Sequence, residues 1–389
     1  MRNLFVRFIC MFIPSKQARR KIRARFLRDK IGELRYKIRG DIDNLRSEVY
    51  GHIDTAIKPL PSQIDNLRSE VRGYIDISRY GKGISVPIID FELNWMNKYN
   101  YKEAFSNLNL TEDYPNLIRN LDDRSVFCLT RIIKRLQSFI EGRNRIELFS
   151  DELERIKAYH KEYYRNIIKL SPECFAYKRY LLPINHFESC VFYEKCNMTY
   201  VRNLDKIKRK DFIDAGGFIG DSAIVLSEFT SGNVYVFEPN SENYGLMEKT
   251  IKMNESKNII PVKKGLGRTD SNEVINCNGS CSSIKLETGG GKNEDIEITS
   301  IDKYAEENDL DIGLIKADIE GFEQDLLHGA EKTIRENRPA LLISIYHTID
   351  DLFRIKTLIE SWDIGYKFVI AEHDPARVFL ETMLIAEAQ

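Results

Sequence analysis

The chain has 389 residues, room for two or three domains, and its hydrophobic fraction of 42% and charged fraction of 30% suit a globular protein with its own core. A net charge of −1 excludes nucleic-acid binding driven by overall charge. Seven scattered cysteines, odd in number and without a Cys-x-x-Cys pair, argue against a disulfide framework or a structural zinc site and for a reducing compartment.

Residues 1–30 depart from that average, with ten Lys/Arg against one acid, Asp29. The apolar run Leu4–Ile13 is interrupted by Arg7 and is about half the length that spans a bilayer. No small-residue cleavage site follows Pro14. An apolar segment beside a polybasic helix suits the inner surface of a membrane rich in anionic lipid. The expected location is therefore cytoplasmic, peripheral on the inner face of the cytoplasmic membrane. Packing of this segment on the protein's own body is the alternative.

Residues 31–80 repeat with a period of 11, apolar residues falling at spacings of 3, 4 and 4 from Ile31 to Ile75. The heptapeptide Asp43–Val49 recurs unchanged at Asp65–Val71. Such a repeat keeps one apolar stripe along a helix and favours a right-handed supercoil. The expectation is a coiled-coil-like stalk and a homo-oligomer formed through residues 31–75. Gly40, Gly51, Gly73, Pro59 and Pro61 oppose it, and a helix lying on a membrane would show the same stripe.

Residues 81–205 are read as a helical subdomain, with helical periodicity over Ser125–Gly142 and Asp151–Leu170. His160 and His186 are read there as packing or surface residues. From Lys206 strand and helix patterns alternate. Strands are expected near 211–215, 233–237, 259–263, 312–317, 340–346, 366–371 and 378–385. Helices are expected near 221–229, 241–254, 301–307, 322–336 and 349–362. Alternation implies a mostly parallel sheet covered on both faces, and the last two strands, with no helix between them, imply an antiparallel edge hairpin around Asp374–Pro375.

Chemistry gathers at the strand ends. Phe212-Ile-Asp-Ala-Gly-Gly-Phe-Ile-Gly-Asp-Ser222 is a buried strand, a glycine turn and a helix start. The next strand ends in Glu238-Pro239. Glycines at 216, 217 and 220 let backbone approach a ligand, and Glu238 can accept hydrogen bonds from a ribose diol. The spacing is not G-x-G-x-x-G, and Asp214 and Asp221 would repel a pyrophosphate. They suit the sulfonium and ammonium of S-adenosylmethionine instead. A third strand ends in Lys316-Ala-Asp-Ile-Glu-Gly-Phe-Glu323, where Asp318 or Glu320 could take a proton or help hold a metal, and Glu323 falls in a helix's first turn. A fourth ends in Ser344-Ile-Tyr-His347, whose imidazole has the titration range of a base. The small polar residues of Gly265–Gly267 and Asn278–Ser283 could line a pocket or serve turns, and Gly289–Gly291 reads as a hairpin tip.

Over roughly 175–389 these segments resemble the FkbM-type S-adenosylmethionine-dependent methyltransferases. The likeness rests on Phe212–Ser222, Val236-Phe-Glu-Pro239, Ile315-Lys-Ala-Asp-Ile-Glu-Gly-Phe-Glu323 and Ser344-Ile-Tyr-His347. It implies a class I methyltransferase (Rossmann-like) α/β fold over 206–389 and O-methylation. It also implies that Asp214, Gly216 and Gly220 surround the donor's methionine part, Glu238 its ribose, and that Asp318 and Glu320 face the reacting centre. Such families commonly carry Asn or another residue where Gly217 stands. The donor set expected is thus Asp214, Gly216, Gly217, Gly220, Asp221, Glu238, Pro239 and Asp318, with Asp318, Glu320 and His347 as the catalytic group. The N-terminal segment with Phe12-Ile-Pro-Ser15 looks like that of proteins encoded with bacterial surface-glycan assembly. That second likeness implies a glycan or lipid-linked sugar as acceptor, and the net charge implies no nucleic-acid partner. A divalent metal stays undecided. A non-catalytic scaffold of a glycan-assembly complex and an O-methyltransferase of a small secondary metabolite are the competing readings. A nicotinamide oxidoreductase lacks its fingerprint here.

Overall fold

The computed structural model describes residues 88–90, 100–143, 145–277, 292–373 and 379–388, all within one compact unit, Asp65–Gln389. The expected membrane segment 1–30, the stalk, the 278–283 loop, the glycine run 289–291 and the turn at 374–375 lie outside the described residues.

Seven strands form the central sheet: β1 Asp211–Ala215, β2 Val234–Phe237, β3 Ile259–Val262, β4 Ile312–Ala317, β5 Ala340–Ser344, β6 Tyr366–Glu372 and β7 Thr382–Ala388. Their spatial order is β6-β7-β5-β4-β1-β2-β3. The pairs β5/β4, β4/β1, β1/β2 and β2/β3 are parallel. The pairs β5/β7 and β7/β6 are antiparallel, so the expected hairpin closes one edge. This is the class I methyltransferase sheet. All six residues of β4 are buried, as a strand covered on both faces requires. Phe212 and Leu314 join one hydrophobic cluster, while their neighbours Ile213 and Ile315 join the other. The strand period of 2 thus divides the core between the two faces.

Six helices accompany these strands: α1 Asp221–Leu226, α2 Ser241–Met253, α3 Ile301–Glu307, α4 Glu323–His328, α5 Glu331–Asn337 and α6 Ile349–Ser361. The single helix expected over 322–336 is two, parted at Gly329. A Cβ at Gly329 would sit 2.1 Å from the Gly267 carbonyl oxygen, so only glycine lets the chain pass there. Gly265–Leu266 does not line a loop but forms a short strand beside Lys292–Thr299, which pairs in turn with Ser271–Cys277. Gly265 and Gly267 make room for Ile298, whose side chain would lie 2.4 Å and 2.9 Å from their Cβ atoms.

The region before the sheet is helical only in part. Helices span Tyr101–Ser106, Leu110–Ile118, Asp123–Ile140 and Ser150–Ala158. Asp122 caps the longest by accepting the Ser125 amide at 2.7 Å. The helix expected over 151–170 ends early, and Ile167–Ser171, Cys174–Tyr177 and Tyr180–Leu182 form an antiparallel meander. β-Branched Ile167 and Ile168 and the aromatic Phe175, Tyr177 and Tyr180 favour strand. Tyr177 and Tyr180 repay it by entering the core cluster under β1. Ile88–Asp90 pairs with Arg145–Glu147.

Candidate active site

The order of strands reverses between β1 and β4, and the C-terminal ends of β1, β2, β4 and β5 open onto one edge, the place where sheets of this kind bind ligands. Asp214 and Glu238 stand at neighbouring tips of that edge, since Ala215 pairs with Phe237.

The glycine turn after β1 is built for close approach. Gly216 and Gly220 both have φ of 81°. A Cβ at Gly216 would stand 1.9 Å from the Asp318 carbonyl oxygen, and one at Gly217 would meet Val236 at 2.3 Å. The turn's amides do not all point outward, as the glycine spacing had suggested. Gly216 and Gly217 both donate to the Phe237 carbonyl, at 3.1 and 2.9 Å. These glycines therefore pack β1 against β2 and β4. The ligand is approached by what the turn leaves exposed beyond them.

Glu238 lies at the bottom of this turn, 5% exposed. Its Oε2 accepts the Phe218 amide at 2.9 Å, and its Oε1 accepts the Asn240 amide at 2.9 Å and the Asn243 side-chain amide at 3.3 Å. A carboxylate has about four acceptor positions, so one stays open for a ribose hydroxyl. A second bond requires the long Asn243 contact to give way. Burial pushes the carboxyl up to about 7, against the pull of these three donors. Pro239 follows directly and leads into α2, whose first amides, Glu242 and Asn243, are capped by Asn240.

Asp214 is placed otherwise than the motif suggests. It is fully buried, accepts the Ser222 hydroxyl at 2.6 Å and pairs with the Lys316 ammonium at 2.9 Å. Lys316 and Asp214 are register partners on β4 and β1. Burial works against the Lys316 charge, but Asp214 and Asp318 outweigh it and hold the ammonium above its ordinary range. Asp214 thus keeps the strand tips together with its charge already matched. Asp221, the first residue of α1, is buried and pushed up to about 6 by that burial, with His186 opposing. Of the two readings of His186, packing holds: it is buried, with its ring 4.8 Å from that of Phe218, and it also lies 3.4 Å from Glu188.

The other half of the edge is formed by the loop after β4 and the end of β5. Asp318 is the exposed member, its side chain 30% accessible, and accepts the Tyr346 hydroxyl at 3.1 Å. Glu320 sits in a left-handed conformation, φ 55°. His347 is fully buried. Its Nε2 is 3.4 Å from Asp318 and 3.7 Å from Glu320, and its Nδ1 is 2.8 Å from Glu323. Burial pulls the imidazole down, but Glu323, Glu320 and Asp318 overcome it and raise it to about 10. Glu323 is more than a helix-start residue: its two oxygens accept the Ile319 and Gly321 amides at 2.8 and 3.0 Å, so it organises the loop that carries Asp318 and Glu320. Tyr101, from the first described helix, donates its hydroxyl to the backbone carbonyls of Tyr346 and His347.

The structure therefore brings Asp318, Glu320 and His347 together, and places Asp214, Gly216, Gly217, Gly220, Asp221, Glu238 and Pro239 at the adjoining tips. Lys316, Glu323, Tyr346 and Tyr101 were not foreseen as part of the site. A lysine inside an otherwise apolar strand was the available sign for Lys316, because a buried ammonium needs a partner. Three sets of side chains stand close enough to share a cation among the described residues: His186/Glu188/Asp221, Glu188/Cys190/Glu381 and Asp318/Glu323/His347.

Residues 214–380 match the methyltransferase FkbM domain. Among solved structures, the chain is similar to a methyltransferase FkbM from Methylobacillus flagellatus, at 20% identity and a TM-score of 0.48, over 74% of this chain and 62% of that one. The chain thus spans about 62% of the length of that relative. It is also similar to an O-methyltransferase from Bacillus cereus in complex with SAH (10% identity, TM-score 0.35, 67% of this chain and 100% of that one). A third likeness is to an rRNA methylase from Streptococcus thermophilus (11% identity, TM-score 0.31, 50% and 97%). No curated protein matches the chain. The glycine turn, the acid-tipped strands and the seven-stranded sheet fall inside the matched segment or flank it, so what the comparison identifies is a methyltransferase FkbM domain over residues 214–380.

Proposed function

We propose that this chain transfers a methyl group from S-adenosylmethionine to a sugar hydroxyl of a bacterial cell-surface glycan, working at the inner face of the cytoplasmic membrane. The observation that carries the transfer is the division of one sheet edge into two halves. The tip of β2 offers Glu238 to a ribose, and Asp221 at the start of α1, with Glu188 from the region before the sheet beside it, offers acid to a cationic tail. The tips of β4 and β5 offer Asp318, Glu320 and Tyr346 to an acceptor. When bound, the donor supplies an electrophilic methyl on a sulfonium. The protein's part is to hold the acceptor oxygen in line with it, which can supply most of the acceleration. As the acceptor's new C–O bond forms, the C–S bond breaks with its electron pair left on sulfur, and the hydroxyl proton passes to a carboxylate of the Asp318 group.

The glycan reading rests on the sequence. The basic, apolar N-terminal segment suits anionic lipid, and its likeness to glycan-assembly proteins supplies the acceptor class. Among the described residues no helix is long and apolar enough to cross a membrane. Mass spectrometry of surface glycan from cells with and without the protein tests this reading. It predicts the loss of one methylene mass per repeat in the deletion. An unchanged glycan mass would remove the acceptor assignment and leave the donor site untouched.

A further inference from the structure

Resting on the methyl-transfer reading, we propose that Glu323 and His347 are positioning residues: a buried carboxylate–imidazole pair that holds Asp318 as the proton acceptor, with His347 itself never acting as the base.

The geometry is that of a clamp. The imidazole lies between carboxylates, Glu323 at 2.8 Å on Nδ1 and Asp318 at 3.4 Å on Nε2. Glu323 has no freedom to leave, because the backbone amides of Ile319 and Gly321 fix its two oxygens. His347 is fully buried, whereas Asp318 is 30% accessible. Only Asp318 of these three can meet an incoming hydroxyl without rearrangement. A base must reach the proton it abstracts, and the buried imidazole has a carboxylate within 3.4 Å of each nitrogen. The groups facing His347 are acidic from nearly every side: Asp318 and Glu320 on the loop after β4, Glu323 on α4 and Asp351 on α6, with the Tyr346 ring just past the end of β5. An imidazolium satisfies that ring of charge, and its raised titration to about 10 agrees. The cation also offsets the repulsion between the Asp318 and Glu320 carboxylates. The proton released by the acceptor goes to Asp318, and the imidazole keeps both of its own.

The test reads the imidazole directly and needs no acceptor. Nitrogen-15 histidine NMR of the full chain should show His347 with both nitrogens protonated from pH 6 to 9. In Glu323→Gln its titration should fall into that range. A neutral His347 at pH 8 in the wild type, or a titration unmoved in Glu323→Gln, would overturn the clamp. A second arm uses glycan from cells lacking the protein as acceptor. Glu323→Gln should lower kcat roughly 100-fold through misplacement of Asp318, with S-adenosylhomocysteine affinity within about twofold of wild type. The residual rate should fall as pH rises, as the imidazolium is lost. A variant faster than wild type at neutral pH would show a neutral imidazole base. Turnover appearing only with added Mg²⁺, together with a shift of the His347 signals, would show that a metal occupies this place. Either result overturns the proposal. Failure of donor binding in the wild type would instead count against the methyl-transfer reading itself.

Discussion

The two halves of the site solve the same problem differently. At the tips of β1 and β2 each acid has its own partners: Asp214 its register partner Lys316 on β4 and the Ser222 hydroxyl, Glu238 amides within five residues of it or across the glycine turn. At the tips of β4 and β5 three acids share one imidazole that arrives from the neighbouring strand. The donor half closes on itself because each acid there has hydrogen-bond donors of its own. The acceptor half is poised because its charge balance depends on a single buried side chain and leaves Asp318 accessible.

The largest expected effect breaks the donor half from beneath. Lys316→Met leaves Asp214 as an uncompensated buried charge and should cost about 3–5 kcal/mol of stability. The double variant with Asp214→Asn should recover much of it, as a urea-denaturation cycle would show. Next comes the acceptor half: Asp318→Asn should lower kcat at least about 100-fold while donor affinity survives. Glu238→Gln should do the reverse. It should weaken donor binding by about tenfold, the worth of one charged hydrogen bond, and abolish its pH dependence. In the wild type the Glu238 carboxyl titrates at about 7, so it is ionised above that pH and protonated below it. Donor affinity should therefore fall as pH drops through 7, measurable by calorimetry at pH 6 and 8. The smallest effect is Tyr101→Phe, which removes the hydroxyl that holds the Tyr346 and His347 carbonyls. It should cost about 1 kcal/mol of stability and show that the helix before the matched domain supports the acceptor half.

The same contrast explains how much of the molecule could be read from residues alone. The seven strands were legible because their apolar runs end in turn and cap residues, and β4 and α3 fall on their expected bounds, 312–317 and 301–307. The donor half was legible in outline, since a glycine turn followed by an acid-tipped strand is a local pattern. What stayed hidden depends on pairing at a distance. Lys316 meets Asp214 only because β4 lies beside β1, and Glu323 meets His347 only because β4 lies beside β5. The meander at 167–182 was hidden for another reason: short strands of Ile, Tyr and Phe carry no period long enough to tell from helix. Gly329 parts α4 from α5 through a contact with Gly267 that no local pattern announces.

The account turns on the donor binding at the Glu238 half and the proton leaving through the Asp318 half. Calorimetric titration of S-adenosylhomocysteine into the wild type, Glu238→Gln and Asp318→Asn tests that division most directly. One site per chain, weakened in Glu238→Gln and kept in Asp318→Asn, is the predicted result. No binding in the wild type, or undiminished binding in Glu238→Gln, would contradict it.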